Sequence, residues 1–559
     1  MPLLSLSEEL ILIILEELDP LSLLHFCKTS RYIHGIVKKY STLLYRYELA
    51  LSGMKDGFSS SYSPRARLDS LLHHRRGWLT LNWTSEDKLC IPTPTIVGVS
   101  GRFLYRASES SEYGLFQWEL HIYELRSYRT PPVDKLQYWK FNFPFEIRQV
   151  AIDAAQNLLV LAELHFPSQD GPITASLHFL DMWRCQQHSQ AQKLRFQFQT
   201  DWWGSLPPGH RISIERVQIY GIMVGMSVRL GVEEGEGTTE LVLVNWRTGI
   251  DQQQRFTGDL LSFDILSESS LMVLSHPDED EDDDSGESAA STWERRSDGI
   301  YLHERGKRSP QIIIHHVPDG QRLRSAQVIS YDLPESWKAI SFLQLCPNKS
   351  LKPNIAPPAG TFFQFDPSQR ATVILVEFPS HSIPAGCSKK VALVMKESLF
   401  EAPGLGDRTL SWEEWQDRCM VVHLPDDSEA HAFEVVGRKL VFFQSFGEEN
   451  NVADSRSLLH VLDFNDYAEE RLRSIAPQQS SAWSWNGKWD TTSKIFKVGA
   501  AEFIGTSTTQ VQRITWVEAT EDAVILYNER EGETVIRVLT FGHTLVAPQR
   551  NLISMGFIS

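Results

Sequence analysis

Two histidine pairs are the residues whose types and spacing most resemble a metal-binding or catalytic site. His73 and His74 precede two arginines in a helix-like segment, and His315 and His316 lie in a strand-like segment. Neighbouring helical residues point about 100° apart, and neighbouring strand residues point to opposite faces, so neither pair can close on one ion. We therefore predict that His73 and His74 lie on a surface helix. Of His315 and His316, one is predicted to be buried and hydrogen-bonded and the other exposed.

Short catalytic motifs are absent from the 559 residues. The sequence has no G-x-S-x-G elbow, no Walker phosphate loop, no H-E-x-x-H zinc motif and no Rossmann glycine pattern. Its six cysteines lie far apart and form no C-x-x-C pair, which is typical of free thiols in a reducing compartment. We therefore predict a protein that is not an enzyme and that binds no metal and no cofactor.

Charge is distributed unevenly along the chain, whose formal net charge is −17. Residues 1–90 contain 11 Lys and Arg against 10 Asp and Glu, and the remainder contains 43 against 61. Because nucleic-acid binding needs clustered cations, the acidic remainder argues against a DNA or RNA partner and favours basic protein segments. No uninterrupted apolar run approaches the ~20 residues that span a bilayer. We predict a cytoplasmic or nuclear protein without a membrane partner.

The N-terminal residues predict three short apolar helices. Ser7 is a candidate N-cap for an apolar segment at residues 10–18, which Asp19-Pro20 ends, because proline disfavours helical geometry in the residue before it. Two further helices extend to about Tyr40. So small a unit cannot bury this many apolar side chains alone, and this excess predicts an interface with a partner.

From about residue 93 the hydrophobic pattern changes to strand-length runs separated by Gly, Pro, Asn and Asp. Residues 177–184, 241–249 and 459–465 share an ending in which Asp or Asn closes an apolar run and an aromatic residue follows. The polar side chain is expected to hold a turn. This loose repeat within a long β-rich region predicts an all-β, WD-repeat-like propeller of about seven blades.

Two segments depart from the strand pattern, and a third marks the connector. Residues 411–416 predict a local helix, and the acidic run at residues 278–284 predicts a solvated, disordered loop of about residues 276–300. A turn-rich break at residues 56–63 is followed by Pro64, which predicts one more helix. The predicted division is a helical unit at 1–45, a helical connector at 46–92 and the propeller at 93–559.

Residues 6–37 resemble the F-box. The matching positions are Leu6-Ser7, where the family usually has Leu-Pro, then Glu9-Leu10, Leu18-Asp19-Pro20, Leu23-Leu24 and Thr29-Ser30-Arg31. The serine at position 7 departs from the family pattern. Residues 47–54 and 67–83 are similar to a large class of fungal F-box proteins whose remaining chain is a divergent propeller-like domain.

This resemblance implies that the first helices bind the Skp-type adaptor, and through it the cullin, of an SCF-type cullin–RING ubiquitin ligase. The apolar positions that match this adaptor-binding role are Leu6, Leu10, Ile13, Ile14, Leu18, Leu23 and Leu24. The resemblance also implies that the propeller binds a protein substrate. One alternative is a scaffold outside the ligase, in which these leucines pack on the β domain or bind something else. Another is a propeller hydrolase or lyase, which needs a deep polar pocket with converging carboxylates and histidines.

Overall fold

Helices come first in the chain and strands occupy most of the rest, as the change in hydrophobic period predicted. In this computed structural model the helices are α1 Glu8–Glu17, α2 Pro20–Thr29, α3 Arg31–Lys39, α4 Ser41–Ser52, α5 Pro64–Thr80 and α6 Trp412–Trp415. Two strands flank α5, namely β1 Met54–Asp56 and β2 Ser85–Pro92. The structure describes residues 6–57, 62–110, 117–130, 137–166, 171–203, 210–232, 237–256, 260–275, 292–296, 299–303, 311–316, 327–334, 342–346, 348–350, 360–378, 390–400, 407–424, 433–446, 456–464, 514–530 and 532–542.

Local capping signals set the starts of the N-terminal helices. Asp19 caps α2 by accepting hydrogen bonds from the backbone N–H groups two and three residues ahead, both at 3.0 Å. Ser30 and Ser63 cap α3 and α5 through their hydroxyl oxygens. Ser7 stands at the N-cap of α1 as predicted, but its side chain makes no capping hydrogen bond.

The first four helices share a hydrophobic core of their own. Its buried members are Ile11, Leu15, Leu23, Cys27, Ile33, Ile36, Val37 and Leu43. None of them comes from the β-rich part of the chain. Helix α1 buries only Ile11 and Leu15, so several apolar side chains of that helix stay at the surface.

Seven sheets of three to six strands form a seven-blade propeller in the described part of the chain. Blade 1 holds β3 Ile96–Ser100, β4 Phe103–Ser110, β5 Gln117–Glu124 and β6 Tyr138–Phe143; blade 2 holds β7 Gln149–Asp153, β8 Leu158–His165, β9 Pro172–Asp181 and β10 Arg195–Trp203; blade 3 holds β11 His210–Tyr220, β12 Met223–Val232, β13 Gly237–Asn245 and β14 Ile250–Phe256. Blade 4 holds β15 Leu260–Ser267, β16 Ser270–Ser275, β19 Gln311–His316, β20 Gln327–Asp332 and β25 Arg408–Leu410; blade 5 holds β17 Thr292–Arg296, β18 Gly299–His303, β21 Phe342–Cys346, β23 Ala371–Glu377, β24 Lys390–Lys396 and β26 Cys419–Leu424. Blade 6 holds β27 Glu434–Val436, β28 Lys439–Phe446 and β29 Arg456–Asp463; blade 7 holds β30 Trp516–Ala519, β31 Ala523–Arg530, β32 Glu533–Thr540 and β2.

Strand β2 closes the ring. It pairs antiparallel with β32, from Ser85 opposite Thr540 to Pro92 opposite Glu533, and forms the outermost strand of blade 7. The predicted connector at residues 46–92 is therefore wrong at its end, because its last eight residues belong to the propeller. They occupy an edge of β32 whose backbone groups would otherwise lack strand partners.

The shared sequence endings lie at the ends of third strands, in blades 2, 3 and 6. Asp181 Oδ1 accepts hydrogen bonds from the backbone N–H groups two and three residues ahead, at 3.0 and 2.9 Å. Asn245 Oδ1 does the same at 3.1 and 3.2 Å. The predicted role of the polar side chain in holding the turn is confirmed at both positions.

The two predicted departures from the strand pattern have different outcomes. Helix α6 confirms the helix predicted at residues 411–416. The loop predicted at about residues 276–300 is wrong over its last part, because β17 and β18 pair there as a hairpin joined to the sheet of blade 5. The acidic run at residues 278–284 lies outside the described residues. Strands β17 and β18 thus lie in the connection between β16 and β19, two strands of blade 4.

Antiparallel strand order gives the propeller two unlike faces. The turns from first to second strand and from third to fourth strand lie on one face, and the remaining connections lie on the other. Helix α5 contacts the β30–β31 turn on the first of these faces. We call this the connector face and the opposite one the distal face.

Candidate functional site

The seven side chains predicted at an adaptor interface fall into exposed and buried groups. Leu10 and Ile13, three residues apart on α1, are 50% and 59% exposed. Leu23 and Leu24 are fully buried, so they support the fold of the helices from within. The half-buried members are Leu6, Ile14 and Leu18. Of the set, Leu10 and Ile13 are therefore the side chains most open to a partner.

Two further exposed apolar side chains of the N-terminal helices were missed by sequence reasoning. Leu21 on α2 is 40% exposed and Tyr32 on α3 is 48% exposed. Each lies in the first turn of a capped helix, a position that can be read from the sequence, although its exposure cannot. The clusters that bury Leu23 and Leu24 contain only residues of the N-terminal helices. Within the described residues, these two leucines thus pack among the helices and not on the β domain.

Strand β1 joins the helical unit to blade 5. It pairs antiparallel with β22 Phe363–Phe365, which lies in the long connection between β21 and β23. The buried cluster around this pair contains Tyr45, Leu49, Met54, Leu68, Leu71, Phe362, Phe363 and Phe365. The propeller therefore supplies part of the connector's core, and both backbone pairing and packing hold the two units together.

Helix α5 packs on the propeller along one side, so the predicted surface position is wrong for His74, whereas it is confirmed for His73. His74 is 2% exposed, and its Nε2 donates a hydrogen bond to the backbone carbonyl of Glu521 at 3.0 Å. Burial lowers the pKa of His74 to about 3, which keeps the ring neutral. Arg75 is buried too, with Nη1 2.6 Å from Glu48 Oε2 of α4. His73 is exposed, so the two imidazoles do not face one site.

A buried arginine links two blades beneath the connector. Arg129 of blade 1 donates to Asp522 through Nε and Nη2 at 2.5 and 2.9 Å, and to Glu521 through Nη1 at 2.6 Å. Burial alone would raise the pKa of Asp522, but the guanidinium holds that pKa below its usual value. Because the Glu521 carbonyl also accepts from His74, one turn of blade 7 anchors both blade 1 and α5.

The centre of the propeller holds a lysine between two glutamates. Lys349 Nζ lies 3.0 Å from Glu434 Oε2 and 2.8 Å from Glu518 Oε1. Lys349 follows β21 of blade 5, Glu434 lies in β27 of blade 6 and Glu518 lies in β30 of blade 7, so the cluster links these blades. One ammonium cannot neutralise two buried carboxylates, and burial raises the pKa of Glu434 to about 7.

Replacing Glu434 with glutamine is expected to alter the pH dependence of stability. The folded pKa lies above the ordinary value of 4.5, so this group's contribution to stability is complete below that pH and is lost as pH rises through about 7. The unfolding free energy of the variant relative to the wild type should therefore rise by about 1–3 kcal/mol from pH 5 to pH 8. Denaturant titrations of both proteins at several pH values measure this difference in unfolding free energy. A difference that stays the same from pH 5 to pH 8 would contradict the raised pKa of Glu434.

The second histidine pair is buried at both positions. His315 and His316 are each 7% exposed, and His316 Nδ1 lies 2.9 Å from the hydroxyl oxygen of Ser270. The prediction that one of them is exposed is wrong, because β19 is a middle strand of a blade that neighbouring blades cover on both sides. Within the described ranges, no group of three or more His, Cys, Asp and Glu side chains is placed to hold a metal ion.

A known protein family matches the N-terminal part of the chain. Residues 3–44 match the F-box domain family, a module that generally binds Skp-type adaptors. No curated protein matches the chain in sequence. Among the helices in the described part of the chain, none has the length and apolar content needed to cross a bilayer.

Solved propellers are similar to the chain at low sequence identity. The WD40 domain of SCAP from fission yeast is 10% identical, with 82% of this chain and 98% of that one covered and a TM-score of 0.29. The propeller of the Trilobed protease from Pyrococcus furiosus is 7% identical, with 78% and 91% covered and a TM-score of 0.35. The WD40 domain of Toxoplasma gondii coronin is 8% identical, with 84% of this chain and 88% of that one covered and a TM-score of 0.34. The assignment of seven blades rests on the strand pairing described above.

Proposed function

We propose that this chain, an F-box domain followed by a seven-blade propeller, is the substrate-recognition subunit of an SCF-type cullin–RING ubiquitin ligase. The F-box binds the Skp-type adaptor and, through it, the cullin. The observation that carries the proposal is the pair Leu10 and Ile13, which expose apolar side chains within the matched residues 3–44. Their helix belongs to a unit that has a hydrophobic core of its own, and exposed apolar surface on such a unit supports a partner interface.

The position of the helical unit supports a division of roles between the two propeller faces. Helix α5 and β1 lie on the connector face, so we place the adaptor on the side of that face. We assign the protein substrate to the distal face. Packing of the connector on blades 5 and 7 then holds the substrate at a constant distance from the adaptor. Ubiquitin transfer follows from proximity, since other subunits of the ligase supply the chemistry.

Affinity purification of the full-length chain tests this proposal. The purified material is probed for the Skp-type adaptor and for the cullin, beside a tagged control protein of similar abundance. Recovery of both subunits with the chain alone supports the ligase role. If a folded, expressed chain recovers neither, the alternative of a non-ligase propeller scaffold for protein–protein interaction replaces it.

Substrate capture is expected to weaken as salt concentration rises. Outside residues 1–90 the chain has 43 Lys and Arg against 61 Asp and Glu, which favours basic substrate segments. Screening shortens the range of this attraction from roughly 10 Å at 0.1 M salt to about 3 Å at 1 M. Recovery of a captured protein should fall several-fold across this range. Capture that is insensitive to salt would contradict the electrostatic preference.

A further inference from the structure

A cavity of about 350 Å³ lies at the centre of the propeller. Its wall comes from the first strands of blades 1, 2, 3 and 7 and from the turns that follow in blades 1, 2 and 7. Ser127, Arg129 and Thr130 of blade 1 and residues 348–350 and 361 of blade 5 also line it. Apolar residues, among them Val99, Val150 and Ile219, line it beside charged ones. Its volume falls within the range of about 300–1,000 Å³ that is common for small-molecule sites.

Three buried cations in or beside this cavity have carboxylate partners. Arg129, Lys349 and Arg370 each lie 2.5–2.8 Å from a carboxylate oxygen. Burial acts to lower the pKa of each cation, but the carboxylates outweigh it and raise the pKa overall. The positive charge at these three positions is therefore compensated within the protein.

Arg216 in the cavity wall differs from these three cations. Its Nη1 donates to the backbone carbonyl of Phe263 at 2.7 Å, and its guanidinium lies 5.5 Å from the centre of the Phe263 ring. No carboxylate of the described residues forms a salt bridge with it, and burial lowers the pKa of Arg216 despite the more distant charges of Asp264 and Glu434. A guanidinium nevertheless stays charged in proteins, so its charge is left without a close counterion in the described chain.

We propose that the central cavity binds a small organic monocarboxylate, whose carboxylate pairs with Arg216 and whose apolar body packs on the aliphatic lining. One negative charge suffices, because Arg129, Lys349 and Arg370 already have carboxylate partners and Arg102, the remaining cation of the lining, lies 2.8 Å from Glu124 Oε1. A planar guanidinium offers two parallel N–H donors to a carboxylate. The bound molecule contacts several blades at once and so stabilises the closed ring. This inference does not depend on the ligase role.

Thermal unfolding of the full-length chain tests the proposal with benzoate and hexanoate as probes and benzamide as the uncharged control. The two carboxylates should raise the unfolding midpoint with concentration, and benzamide should not. Arg216→Met should weaken carboxylate binding about 30-fold or more, because it removes one partner of an enclosed charge pair. Arg65→Met, on the exposed face of α5, is the matched control and should retain the full response.

A second measurement needs no variant and covers the case in which Arg216→Met fails to fold. Phenylglyoxal modifies accessible arginines, and peptide mass spectrometry reports the extent at each position. Benzoate should slow modification of Arg216 several-fold and leave that of Arg65 unchanged. Equal stabilisation by benzamide, an unchanged response in a folded Arg216→Met protein, or the absence of both stabilisation and protection would overturn the proposal.

Discussion

Replacing Leu10 and Ile13 together with aspartate should lower the affinity of the full-length chain for the Skp-type adaptor by at least about 100-fold. Burying a leucine or isoleucine contributes about 1.5–3 kcal/mol, so two of them supply 3 kcal/mol or more, and a buried aspartate adds a desolvation cost. Both side chains are at least 50% exposed in the isolated chain, so their replacement removes little of its own packing. Calorimetry or biosensor titration against purified adaptor gives the affinity ratio.

Two further variants separate loss of the interface from loss of the fold. Ile250→Asp alters an isoleucine that is 58% exposed on the outermost strand of blade 3, and it should bind the adaptor like the wild type. Leu23→Ala removes a fully buried side chain and should lower the stability of the helical unit by about 2–5 kcal/mol. If the folded Leu10 and Ile13 double variant bound the adaptor at full affinity, the proposed interface would be wrong.

Arg129→Met is expected to lower the free energy of unfolding by about 3–5 kcal/mol. The change leaves Asp522 and Glu521 as buried carboxylates without their cation, and an uncompensated buried charge is among the most destabilising single changes. It also loosens the turn that accepts the hydrogen bond from His74, so docking of α5 should weaken as well. Denaturant titration of the full-length protein measures the stability change.

A matched control variant and the pH dependence of the unfolding free energy test the role of Arg129 further. Arg65→Met breaks an exposed pair with Asp69 on α5 and should change stability by no more than about 0.5 kcal/mol. Arg129 holds the pKa of Asp522 below its usual value, so the stabilisation is present at neutral pH and is lost as pH falls through the folded pKa. The loss of unfolding free energy in Arg129→Met should thus be largest near neutral pH. A loss of unfolding free energy as small as that of Arg65→Met would mean that the ion pairs of Arg129 do not stabilise the fold.

Local patterns in the sequence were enough for the parts of the fold that local interactions determine. Asp19, Ser30 and Ser63 cap helices because a side-chain oxygen reaches a backbone N–H only a few residues away, although Ser7 was the only cap predicted and its side chain makes no capping hydrogen bond. Asp181 and Asn245 hold turns for the same reason. The change from helical to strand periodicity near residue 93 and the F-box pattern at the N-terminus also needed no distant contact.

The sequence by itself therefore determined the class of each domain, the starts of α1 and α5 and the strand-ending turns, whereas the tertiary structure decided which side chains are buried and which are paired. Helix α1 has apolar residues on almost every side, so its sequence does not show which side faces the core. Packing of α2 to α4 against α1 decides that Leu10 and Ile13 are exposed. His74 is buried by a turn more than 400 residues away in the chain. Strand β2 becomes part of blade 7 because β32 offers it an open edge. The last two contacts depend on ring closure, which brings distant segments together without leaving a local sequence signal.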